Sequence, residues 1–69
     1  MSFRIQIASD IQRDIICSEI FFGDDQFAEI HNDNGKIKIA IFAPTTRDFW
    51  EFDYSEMANI VKESITAIS

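Results

Sequence analysis

Glycine, proline, cysteine, histidine and positive charge are all scarce in this chain, and each scarcity closes off a class of function. The two glycines, Gly23 and Gly35, lie far apart, so no glycine-rich loop can cradle a phosphate. Cys17 is the only cysteine, which rules out an internal disulfide and gives no sign of an oxidising compartment. His31 is the only histidine. Nucleophilic catalysis needs a nucleophile, a base and an orienting group in contact, and no spacing here brings such a set together. The expectation is therefore a protein that is not an enzyme, with Cys17 a small semi-buried hydrophobe and His31 a solvated strand residue.

Long apolar runs are absent too. No stretch approaches the ~20 residues of a membrane span, and the opening "MSFRIQIASDIQRD" is too polar for a signal peptide. A cytoplasmic location is the resulting expectation. Six Lys and Arg against twelve Asp and Glu leave a net charge of -6. That balance repels phosphate backbones and anionic lipid, so neither nucleic acid nor membrane is expected as a partner, and a basic protein is favoured.

What is present is enough for one folded domain, residues 1–69: 46% of the residues are hydrophobic, far above disordered chains. The clearest local signal is "NDNG", residues 32 to 35, where Asn34-Gly35 suits a two-residue type I′ turn. Pairing Asp33 with Lys36 then sets Ile30 opposite Ile39 and Ala28 opposite Ile41, an aliphatic face. The other face receives His31 with Lys38, Glu29 with Ala40 and Phe27 with Phe42. Alternation predicts strands over about 3–8, 14–22, 26–33 and 36–43, with Gly23-Asp24-Asp25 as a three-residue loop. "FWEFDY" alternates again, Trp50, Phe52 and Tyr54 on one side and Glu51 and Asp53 on the other, and reads as a fifth strand over 49–53. Pro44 ends the strand before it.

Asp53, with Glu56 three residues on, reads as a variant capping box opening a helix over about 54–67. Met57, Ile60, Val61, Ile65 and Ile68 recur at helical spacing, while Glu56, Asn59, Lys62, Glu63 and Thr66 form a polar face. The fold class is α+β: a two-layer arrangement of an antiparallel meander of four to five strands with one C-terminal amphipathic helix on its aliphatic face.

A single helix covers one face of the sheet, and the other face is the candidate site. In this register it carries Phe21, Phe27 and Phe42, with Glu19 and Glu29 interleaved. Three aromatics together exceed the few hundred Å² that monomers leave as a contiguous patch. Asp24 and Asp25 at the turn, with Asp48 and Glu51 further on, add charge around them. Calcium loops need alternating oxygen ligands over about twelve residues, which "GDDQFAEI" does not supply, so neither metal nor cofactor is expected.

"SEIFFGDDQFAEIHNDNGKIKIAIFAP" and "FWEFDYSEMANIVKESI" together resemble small bacterial immunity-like proteins encoded beside polymorphic and contact-dependent growth-inhibition toxins. The likeness covers roughly residues 18 to 66. It implies a stoichiometric inhibitor that binds a cognate toxin domain, often a nuclease, and blocks it; no contact residue is carried over. The residues alone allow a second class, a homo-oligomeric structural or regulatory adaptor without catalytic activity, in which the aromatic face seals a dimer.

Overall fold

The Asn34-Gly35 turn sets the geometry of the sheet. In a computed structural model that describes residues 2–69, both residues have positive φ, 54° and 91°, as the type I′ turn requires. Asn32 Oδ1 accepts the Gly35 amide at 2.7 Å and closes the turn. The hairpin pairs Asp33 with Lys36, Ile30 with Ile39 and Ala28 with Ile41, in the register expected from alternation. Around it stand β1 (Phe3–Asp10), β2 (Ile15–Phe22), β3 (Asp25–Asp33) and β4 (Lys36–Ile41), followed by α1 (Tyr54–Ala67). The sheet is antiparallel in the order β1-β2-β3-β4. α1 packs over β1, β2 and β3, so the architecture is α+β with a single helix.

The β2–β3 connection departs from expectation. Its loop is the two residues Gly23-Asp24, because Phe22 pairs with Asp25, and the extra residue reappears as a bulge. Ile20 faces Ala28 while Phe21 faces Gln26, leaving Phe27 without a partner in the ladder. That one residue changes the side on which Phe27 lands. It is not on the open face with Phe21 and Phe42; it is 6% exposed and belongs to the core with Ile20, Ala28, Ile30 and Ile60.

The aromatic residues gather there. Phe27 meets Trp50 and Phe52 edge to face, at centroid distances of 5.4 and 5.1 Å. Phe3 packs on Phe22 and Phe52 at 5.1 and 4.8 Å. Such pairs add roughly 0.5–1.5 kcal/mol each beyond the area they bury, which matters in a chain too short for a thick core.

The fifth strand does not form. Residues 50–53 are irregular, yet Trp50 and Phe52 still turn inward and stack on each other at 5.4 Å and 21°. Their rings rest on Phe27 and Phe3, which places the segment in the helix layer, above the sheet, where no strand edge is available to pair with it. Two anchors hold it. Trp50 Nε1 donates to the Phe42 carbonyl at 2.7 Å. Asp25, 8% exposed, accepts from the Thr45 amide at 3.3 Å, the Thr45 hydroxyl, and the Thr46 hydroxyl at 2.9 Å. Tyr54, expected beside Trp50 and Phe52, is 83% exposed, because the period changes from two to 3.6 where the helix begins.

Asp53 is the N-cap, but its side chain makes no capping bond. Only its carbonyl is used, accepting the Met57 amide at 3.0 Å. The capping box expected with Glu56 is absent. Along α1, Ile60 and Ser64 point straight into the sheet, Met57, Val61, Ile65 and Ile68 are half-buried, and the expected polar face is exposed.

Candidate functional site

β4 is an edge strand whose apolar side lies largely uncovered. An α-helix is about 10 Å wide and strands are spaced about 4.8 Å apart, so one helix cannot shield four strands. Ile37, Ile39 and Ile41 all lie on the helix side, opposite Asn32, Ile30 and Ala28. They remain 39%, 46% and 65% exposed.

The backbone of the same three residues also faces outward. The Phe42 amide donates to the Phe27 carbonyl at 2.9 Å, which makes Phe27–Phe42 a hydrogen-bonded pair. Alternation then gives Glu29–Ala40 and His31–Lys38 the same role. Ile37, Ile39 and Ile41 occupy the intervening positions, so their N–H and C=O groups point away from β3. Apolar side chains and outward donors and acceptors coincide.

Where β4 ends, an open apolar groove of about 420 Å³ runs between it and the start of the helix, lined by Phe27, Ile41, Trp50, Phe52, Tyr54 and Met57. Exposed Glu51 and Asp53 flank Phe52 in the chain, while the Arg47 guanidinium lies 5.3 Å from the Trp50 ring centroid, so both signs of charge stand near the groove.

The open face of the sheet is more neutral than the sequence indicates. Phe21 is half-buried beneath the Arg4 guanidinium, which lies 4.3 Å from the ring centroid. Glu29 accepts from Arg13 at 2.8 Å, and Arg13 also binds Asp10 at 2.6 Å. Lys38 pairs with Asp33 at 2.6 Å. Glu19 is half-buried opposite Glu29 and Gln6. Phe42 is 40% exposed and Asp24 is exposed. The nine residues expected to form one surface therefore separate: Phe21, Phe42, Glu19 and Glu29 face the open side, Phe27 and Asp25 are buried, Asp24 is exposed at the β2–β3 turn, and Asp48 and Glu51 are exposed on the segment that leads into the helix.

Cys17 and His31 are cross-strand neighbours. Cys17 is 3% exposed. Burial first, then the Glu29 and Glu19 carboxylates, pushes its thiol above the ordinary range, the reverse of what activates a nucleophile. His31 Nδ1 is buried without a hydrogen-bond partner. Among the described residues no group of three His, Cys, Asp or Glu side chains is arranged to hold a metal ion, and no helix is long and apolar enough to cross a membrane.

The residues missed by the sequence reading are Ile37, Ile39, Ile41 and Tyr54. The signal for the first three was in "KIKIAI": an apolar row on the fourth strand of a sheet with one helix to cover it. No protein-family model, curated protein or solved structure matches the chain, so its functional reading rests on its own geometry.

Proposed function

We propose that this chain is a cytoplasmic, non-catalytic inhibitor that binds a basic partner protein one to one, in the manner of an immunity protein neutralising a cognate toxin domain, a nuclease being the best electrostatic match. The observation that carries the reading is the exposed apolar groove between Ile41, Trp50, Tyr54 and Met57 on a chain of strongly acidic balance. Apolar anchors surrounded by charge are the usual arrangement of a binding hot spot. A nuclease presents a cationic cleft to its substrate's phosphates. A chain of net charge -6 complements that cleft and gains association rate from long-range attraction. Burial and the neighbouring carboxylates push the Cys17 thiol upward, which disfavours it as a nucleophile.

The test is binding to the protein encoded beside this one, measured with purified domains. Tyr54→Ala, at a position 83% exposed, is expected to weaken the complex tenfold or more while leaving the melting temperature unchanged. Glu51→Lys should slow association and flatten its salt dependence. A complex indifferent to both changes places the contact elsewhere, and no complex with any neighbouring toxin domain rejects the reading.

A homo-oligomeric structural or regulatory adaptor is the second reading, favoured by the outward-facing apolar edge of β4.

A further inference from the structure

We propose that β4 is a self-pairing edge: two copies of the chain join β4 to β4, antiparallel across a two-fold axis, into one continuous eight-stranded sheet. This inference stands apart from the inhibitor reading, because it concerns the length of β4 and not the groove at its end.

Three observations combine. The first is the phase of the hydrogen bonds. The N–H and C=O groups that point off the sheet belong to Ile37, Ile39 and Ile41, as fixed by the Phe42–Phe27 bond. A row of outward groups on an exposed, apolar edge strand is a template for another strand. The second is side-chain placement, since those three positions also carry the exposed isoleucines on the helix side. β1, the other edge, offers one such residue, Ile7, 50% exposed, while its Phe3 and Ile5 pack into the core beneath α1.

The third is register. Cross-strand neighbours must share a face, so the two-fold axis passes through a residue. Centred on Ile39, the pairing sets Ile39 against its own copy and Ile37 against Ile41, and isoleucines now exposed shield one another. Each of the three positions then exchanges both backbone groups with the second copy. On the open face, Lys38 meets Ala40 and Lys36 meets Phe42, so no lysine directly opposes a lysine. Centring on Lys38 sets two like charges in direct opposition, which disfavours that register. Lys38 is already neutralised by Asp33 of its own chain at 2.6 Å.

β4 is about 20 Å long, and a specific interface buries on the order of 600–1,000 Å² per partner. A seam of six residues is short against that range, so the dimer is weak and concentration-dependent.

Sedimentation of the full chain from 5 to 500 μM is the experiment. The expected result is a shift from 8.0 kDa toward twice that mass. Of the backbone hydrogen-bonding groups Ile39→Pro removes one outward N–H and none of the β3–β4 ladder, and it should give a monomer whose circular dichroism matches that of the parent. Ala40→Pro removes an N–H directed at Glu29 and should unfold the hairpin. Ile39→Lys is the second variant, should the proline disturb the strand: it keeps every backbone group, sets two cations at the two-fold axis, and should also be monomeric. A parent chain that stays monomeric at 500 μM overturns the proposal. So does a dimer that survives either folded Ile39 variant, since its seam then lies elsewhere. Toxin binding by a monomeric variant leaves the inhibitor reading intact, which keeps the two outcomes distinct.

Discussion

The Ser18 hydroxyl donates a 2.7 Å hydrogen bond to the Ser64 carbonyl, joining β2 to the last turn of α1 with both residues fully buried. The Ser64 carbonyl needs that partner. Helix ends leave carbonyls without intrahelical donors, and the Ile68 amide, which would ordinarily reach Ser64, bonds to Ile65 at 3.2 Å instead. Two small side chains also let the helix approach the sheet closely, and the Ser64 hydroxyl is itself satisfied by the Ile60 carbonyl at 2.7 Å. Ser18→Ala strands a buried acceptor and should cost about 1–3 kcal/mol, measured by urea unfolding with an unchanged m-value.

Phe27 and Phe42 should behave oppositely. Phe27→Ala empties the centre of the aromatic cluster, and such truncations cost about 3–5 kcal/mol, enough to unfold much of a chain this size. Phe42→Ser, at a 40% exposed position whose carbonyl is what Trp50 uses, should leave the fold in place. Thermal melts of the two variants decide it: a stable Phe27→Ala protein contradicts the bulge.

Asp53→Ala isolates what a cap without a side-chain bond contributes. The carboxylate still lies at the positive end of the helix dipole, worth about 0.3–1 kcal/mol at low salt. A loss nearer 2 kcal/mol, in the range of true side-chain caps, means that the Asp53 carboxylate reaches an amide in solution. Addition of salt should erase much of the expected small effect.

Acid should loosen the segment that carries Trp50. The Thr45 hydroxyl foremost, assisted by the Thr46 hydroxyl and both amides, holds the Asp25 carboxyl below its ordinary value against the opposing pull of burial. Arg13 does the same for Asp10, and Lys38 for Asp33. A lowered folded-state pKa means that the unfolded chain binds more protons, so stability rises with pH through this window. The contribution is complete above the unfolded value near 3.9 and disappears as pH falls through the lower folded values. Melting temperature should therefore begin to drop as pH falls through about 4 and go on dropping below it, and Asp25→Asn should make the drop shallower. Trp50 fluorescence should follow the same curve.

The hairpin shows how much was legible beforehand. "NDNG" requires positive φ at two successive residues, and alternation on either side admits one register, so Ile30–Ile39 and Ala28–Ile41 followed from local chemistry alone. The helix was equally legible, since Met57, Ile60, Val61, Ile65 and Ile68 mark a stripe at 3.6-residue spacing whatever lies beneath it. The candidate site was legible only in fragments. Asp48 and Glu51 are legible as exposed acids, but alternation alone assigns Phe27 to the open face and sets the β4 isoleucines beneath the helix, and the structure reverses both.

Local periodicity and turn chemistry are properties of neighbours in the chain, and they determined the four strands, the hairpin register, the helix and the acidic balance. The tertiary structure decided what depends on competition between segments. A two-residue loop at Gly23-Asp24 pushed the surplus residue into a bulge, and packing of Phe27 against Trp50 and Phe52 settled which side it fills. The same packing drew "FWEFDY" into the helix layer and away from any strand edge. The width of one helix against four strands left Ile37, Ile39 and Ile41 in the open. No local pattern encodes that shortfall, because it compares the area of one layer with the area of another.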